Sequence, residues 1–216
     1  MTLDVRMLTV GPLQENAYLL RPAGGERAIL VDPGEEAERL LSVIDELGVT
    51  LDAILLTHTH FDHVGAVAEV ARATGAPVYV PELEREVLAN INDYVRFPGF
   101  GPFESHEAEE TVAGGERLQL AGLEIDVLFT PGHSPGHVTY SVVGADALFS
   151  GDVLFQGSVG RVDLPGGDWP TLAASLESLL ERFGDDTRVH PGHMGLTTLG
   201  AERATNPFLA EIRAGR

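Results

Sequence analysis

"LLTHTHFDHVG", residues 55–65, places His58, His60, Asp62 and His63 within six positions, directly after an apolar run. Imidazoles and a carboxylate make a good donor set for a borderline divalent cation. They make a poor packing cluster, because each carries polar atoms that need partners when buried. In extended chain His58 and His60 stand at i and i+2, so their side chains lie on one side. Asp62 and His63 follow once the chain begins to turn, and can point to a second, neighbouring centre.

Three other stretches repeat this composition: "TPGHSPGH" (130–137), "FSGD" (149–152) and "HPGH" (190–193). Each follows an apolar, strand-like run and lies in a Gly- or Pro-rich turn, where α/β proteins present functional groups. Seven of the eight histidines sit in these four places. A single histidine reads most simply as a surface or hydrogen-bonded residue. Four strand ends that all carry metal-type donors read as a metal site. A catalytic zinc takes about three protein ligands. The donors here are enough for two metals, with the two oxygens of Asp152 as the natural bridge. Two metals about 3.5–4 Å apart can trap a hydroxide and clamp both oxygens of a displacement.

The rest of the chain frames these loops. Residues 3–10 and 16–21 suggest a hairpin around GPLQEN, and 27–32 is a third strand. Helical spacing runs through 35–48, ended by Gly48, and through 64–75 after the buried strand 51–57. Strand 76–80 follows, then a helical stretch 81–94 and a Gly/Pro/Phe-rich loop 96–110. Strand-like runs occupy 116–120, 123–130, 137–144 and 147–151. Asp168, with Pro170 in the first turn, starts a helix, and 187–190 is a last strand. The order is that of a β/α layered protein. With no repeat, linker or low-complexity segment, residues 1–216 are expected to form one domain.

Composition removes other functions. The formal net charge is −19, from 33 acidic and 14 basic residues, and every basic residue is arginine. Such a surface disfavours nucleic acid. There is no cysteine, which excludes disulfides and thiol catalysis. No apolar run approaches a membrane span, and the start reads as a strand, so a cytoplasmic location without membrane attachment is expected. The oligomeric state is open.

The motifs THTHFDH (57–63), GHSPGH (132–137), GD (151–152) and PGH (191–193), in that order, resemble the metallo-β-lactamase fold superfamily. The resemblance spans essentially the whole chain. It implies an αββα sandwich, two facing mixed sheets flanked by helices, with the site at one edge. It also implies that His58, His60 and His133 hold a first metal. Asp62, His63 and His193 would hold a second, with Asp152 bridging. His137 and His190 match no ligand position and are expected to orient ligands or to pack. His106 lies outside the motifs.

β-Lactamases of this fold usually lack the bridging aspartate, and one class needs a cysteine ligand. The RNA-processing branch normally carries an inserted domain and takes a polyanion. Neither pattern fits. "NAYLL" (16–20), "GDVLFQGSVGRVDLPGGD" (151–168) and "TTLGAERATNPFL" (197–209) resemble the glyoxalase II-like branch, whose enzymes hydrolyse the thioester S-lactoylglutathione. That resemblance implies a small-molecule thioester substrate and a hydroxide bridging two divalent metals. Zinc is the first expectation, with iron or manganese as alternatives. Asp62 would orient the hydroxide. Arg161 stands where glyoxalase II has a lysine that contacts the thiol carrier, and is expected to bind substrate. Those enzymes carry a sizeable C-terminal helical domain that helps bind glutathione, and only some twenty residues follow His193 here, so a carrier other than glutathione is expected to be possible. The alternative is a persulfide dioxygenase of the same fold, with one iron on His58, His133 and Asp152 and with Arg161 and Asp163 matching its Arg-x-Asp feature. That family usually has cysteine where this chain has Val159, and often lacks a histidine at position 137.

Overall fold

A computed structural model describes residues 2–95 and 97–214. The chain begins with the expected hairpin, β1 (Leu3–Val10) and β2 (Glu15–Pro22), followed by β3 (Arg27–Val31), α1 (Ala37–Leu47) and β4 (Thr50–Leu55). The short α2 (Phe61–Val64) and α3 (Val67–Thr74) lead to β5 (Val78–Pro81). A 3₁₀ turn, Glu82–Glu84, opens onto α4 (Arg85–Ala89), α5 (Ile91–Tyr94) and β6 (Glu110–Val112). Next come β7 (Arg117–Leu120), β8 (Leu123–Phe129), β9 (Val138–Val142), β10 (Ala147–Gly151) and the small hairpin β11 (Leu154–Phe155) with β12 (Ser158–Val159). The chain closes with α6 (Trp169–Arg182), β13 (Arg188–Pro191), β14 (Thr197–Thr198), α7 (Leu199–Thr205) and α8 (Pro207–Ala214).

Two six-stranded sheets result, ordered β1-β2-β3-β4-β5-β6 and β14-β13-β10-β9-β8-β7. Both are mixed: β3, β4, β5 and β6 run parallel, as do β10 and β13, while the other neighbours are antiparallel. The period-2 alternation of a strand divides each sheet between two cores. Leu20, Ile29 and Leu55 of the first sheet face Ile125, Tyr140 and Phe149 of the second. Leu19, Leu30 and Ile54, one residue away on the same strands, instead meet Leu40 and Ile44 of α1 and Val67 and Val70 of α3. On the far side, Leu148 and Val189 meet Leu172 and Leu176 of α6, Leu199 of α7 and Leu209 of α8. Helix, sheet, sheet, helix is the αββα sandwich that the motifs implied.

Several boundaries differ from the sequence reading. The strand expected to run to Thr57 ends at Leu55, so Leu56 and Thr57 already belong to the site loop. Asp62 and His63 lie inside α2, not before a helix. The stretch 81–94 is broken at Asn90, whose φ of −130° leaves the helical region. Within the expected loop, Arg96 lies outside the described residues, and residue 110 already belongs to β6. The segment after His193 supplies a strand and two helices that periodicity had not marked. Among the described residues, no helix is long and apolar enough to cross a membrane.

Candidate metal centre

The four motif loops meet at one edge of the sandwich. They are joined through backbone: Val138 N–H donates to Thr57 C=O at 2.9 Å, Gly192 N–H to Gly151 C=O at 2.8 Å, and Asn16 N–H to Gly192 C=O at 2.8 Å. The register between β10 and β13 slips after Phe149, so that Gly151 pairs with Pro191. The slip brings Asp152 beside the loop that carries His193. Glycine is required there: a Cβ on Gly192 would stand 2.3 Å from Asp152 Oδ1 and 2.6 Å from His63 Cε1.

Three ring nitrogens converge first. His60 Nδ1 lies 3.2 Å from His58 Nε2 and 2.8 Å from His133 Nε2. The other nitrogens are occupied: His58 Nδ1 contacts Thr57 Oγ1 at 3.0 Å, and His133 Nδ1 donates to the Arg161 carbonyl at 2.8 Å. A second group comprises Asp62, His63 and His193, with His193 Nε2 3.2 Å from Asp62 Oδ2. Asp152 reaches into both. Its Oδ2 stands 3.5 Å from His133 Nε2 and 3.6 Å from His193 Nε2, and its Oδ1 stands 3.3 Å from His63 Nε2.

These residues fit a pair of divalent cations. His63 Nε2 and Asp152 Oδ1 are buried with no hydrogen-bond partner, although buried polar atoms are nearly always paired. The converging nitrogens of His58, His60 and His133 set lone pairs toward one point, an arrangement that a cation stabilises.

The electrostatics divide the two groups. Burial and the neighbouring imidazoles hold His58 well below the ordinary imidazole range and His60 at about 4, so both are neutral at pH 7. Burial opposes a charge on His63, but Asp152, with help from Asp32 and Asp62, raises its pKa well above that range. Burial also opposes a charge on His193, yet the hydrogen bond to Asp62 and the charge of Asp152 raise it. Burial would raise Asp62 and Asp152, but the surrounding histidines lower both, so they are carboxylates.

The remaining sequence candidates have distinct places. His137 is buried, with Nδ1 on Thr130 Oγ1 at 3.1 Å and Nε2 accepting from the Asp152 N–H at 3.1 Å. It thus positions the backbone of Asp152. His190 stacks on Phe149, with ring centroids 4.6 Å apart. His106 contacts Glu109, away from the site. Arg161 makes a two-pronged contact to Asp163, 2.7 Å on each side, and its side chain is 54% exposed.

Sequence reading missed the residues that orient this centre. Asp32 accepts from the Thr57 N–H at 2.7 Å, from Thr57 Oγ1 at 2.6 Å and from His63 Nδ1 at 3.0 Å. Asp32 lies close enough to His58 and His63 to be grouped with them as a donor, but these contacts make it an orienting residue. Its signal was present: "ILVDPG" (29–34) is also an apolar strand ending in an acid and a turn. Asn16 Nδ2 donates to the carbonyls of Pro191 and Met194, and Tyr18 Oη to that of Pro191, which ties β2 to the His193 loop. Glu84, which accepts from the Thr59 and Gly136 N–H groups beside two of the motif loops, gave no signal, since it sits among several acids in an amphipathic stretch.

Fold and centre together define the class, and comparison with known proteins agrees. Residues 10–193 match the family model described as the metallo-beta-lactamase superfamily, and the chain belongs to that superfamily. Among its relatives is the probable metallo-hydrolase YqgX of Bacillus subtilis, 41% identical over 94% of this chain and 96% of that protein. Another is the hydroxyacylglutathione hydrolase GloC of Haemophilus influenzae, 34% identical over 96% of this chain and 98% of that protein. Of solved structures, the BLEG-1 B3 metallo-beta-lactamase superposes with a TM-score of 0.89 at 40% identity, covering 95% of this chain and 99% of that one. A di-iron-bound form of TTHA1623 gives 0.84 at 46% identity, covering 94% of this chain and 100% of that one.

Proposed function

We propose that the chain is a metallo-hydrolase that cleaves a small-molecule thioester at a two-metal centre. The observation that carries this reading is Asp152, whose two oxygens face the His58–His60–His133 group and the Asp62–His63–His193 group at once. These seven residues are the proposed ligands. Zinc is the first candidate metal, with iron or manganese as alternatives, and the di-iron form of a 46% identical structure favours iron among these. The relative GloC supports a thioester. It matches this chain over nearly the full length of both, so a hydrolase bearing that name is no longer than this one.

Bound metals would supply Lewis-acid activation of water and of the thioester carbonyl. The chain's own groups do the rest. Asp62 is ionised and stands beside His193, where it can accept a hydrogen bond from the attacking water and set its direction. His137 and Asp32 fix the bridge and His63. The leaving group is a thiolate, with a parent thiol pKa of about 8.5, so it departs without a strong general acid. Arg161, exposed beside the His133 loop, is the proposed contact for a carboxylate or carbonyl on the thiol carrier.

The superposition on the BLEG-1 B3 metallo-beta-lactamase makes β-lactam hydrolysis the comparison that matters. The test is a panel read by thiol release from acyl-thioesters, ring opening of a β-lactam, and oxygen uptake with a persulfide, on protein reconstituted with zinc, iron or manganese. Metal-dependent thiol release well above the other two supports the reading. Dominant ring opening, or oxygen uptake with a single iron, overturns it.

A further inference from the structure

Glu84 is 3% exposed and belongs to none of the motifs. Its Oε2 accepts from the Thr59 N–H at 2.7 Å and from Thr59 Oγ1 at 2.9 Å. Its Oε1 accepts from the Gly136 N–H at 2.9 Å and from the Ser134 hydroxyl. Thr59 lies between His58 and His60, and Ser134 follows His133. A single carboxylate from the turn after β5 therefore joins the two loops that carry the three-histidine group, which come from different sheets. Asp32, by contrast, holds His63 of the other group directly and reaches His58 only through the Thr57 hydroxyl.

We infer that Glu84 is the positioning residue of the three-histidine metal position. The inference rests on the ligand assignment above and not on the identity of the substrate. The chemistry requires an acid here. Backbone N–H groups donate on both sides of Glu84, and neither can accept. In Glu84→Gln the amide NH₂ must face one of them, whichever way it turns, so one loop is pushed away while the size of the side chain hardly changes. Residues that orient metal ligands are worth about 10–100-fold in metal affinity.

The experiment is calorimetric titration of the metal-free, full-length protein with Zn²⁺, with His60→Ala and Asp62→Ala identifying which binding event belongs to which position. Glu84→Gln should weaken the event lost in His60→Ala by about 10–100-fold. It should leave the event lost in Asp62→Ala within a factor of about three, inside the usual context dependence of such effects. Equal weakening of both events, or of neither, overturns the inference and leaves Glu84 as general support for the fold. If Glu84→Gln does not fold, Ser134→Ala and Thr59→Val each remove one donor and must show the same one-sided loss to a smaller degree; a two-sided loss overturns the inference. If His60→Ala weakens no event, the ligand assignment itself has failed, a result distinguishable from failure of Glu84 alone.

Discussion

His63 Nδ1 donates to Asp32 Oδ2 across 3.0 Å, which leaves Nε2 as the ring nitrogen facing Asp152 and the centre. The contact selects one tautomer and one ring orientation, and raises the basicity of the free nitrogen. Asp32→Ala should lower affinity at the Asp62–His63–His193 position by about 10–100-fold. It also strands the buried Thr57 N–H, at a cost of about 1–3 kcal/mol of stability. Zinc titration and thermal melting of the metal-free protein measure the two effects. Unchanged affinity at that position would show that the ring is held by packing alone.

His190, on β13, and His193, in the loop just after it, separate packing from proposed ligation within four residues. His190→Ala removes a buried ring stacked on Phe149 and should cost about 2–4 kcal/mol of stability with metal content preserved. His193→Ala removes a less buried ring, and should lose the second metal and most activity with little loss of melting temperature. Metal analysis beside melting curves decides. Equal metal loss in both variants would mean that the ligand has been misassigned.

The two positions should respond differently to pH. His63, raised well above the ordinary imidazole range, carries a proton at neutral pH in the metal-free protein, and His193 is shifted in the same direction, so a metal at this position must displace protons. His58 is lowered well below the usual range and His60 lies at about 4, so neither needs to lose a proton. As pH falls from about 8 to 6, affinity at the second position should drop by about tenfold per unit for each proton displaced, while His58 and His60 add no such dependence. Competition titrations at several pH values give the slopes. A steeper slope at the three-histidine position would contradict the electrostatic reading.

How much of this was legible in the sequence follows from how each signal is encoded. The sheets and long helices could be read, because period-2 and period-3.6 patterns record which faces are buried. The motif loops could be read, because histidine, aspartate and glycine are costly unless used. Asp32 could have been read by the same strand-end rule. Glu84 could not, because a buried carboxylate satisfied by loops from two sheets looks in sequence like any surface acid of a helix. The break at Asn90 and the helices after His193 were hidden for a similar reason. Tertiary contacts, such as Asn206 Nδ2 donating to the Ser158 carbonyl at 3.0 Å just before α8, set those boundaries.

Arg161 offers two separable groups. Its carbonyl holds His133 Nδ1, and its guanidinium pairs with Asp163 on the surface. An exposed ion pair is weak enough for a substrate carboxylate to take over the fork. Arg161→Ala keeps the carbonyl, so metal content should not change. KM for a charged thioester should rise by about 10–100-fold, with little effect on a neutral, truncated one. A similar penalty on both substrates would assign the side chain to loop support.

The central claim is that two metals, joined through Asp152, perform thioester hydrolysis. It is tested most directly by adding metal in measured equivalents to the metal-free protein while following thiol release. Activity should rise until two equivalents per chain are bound, and Asp152→Ala should bind less metal at both positions and lose activity. Full activity at one equivalent, or an Asp152→Ala variant with full metal and full turnover, would contradict the account.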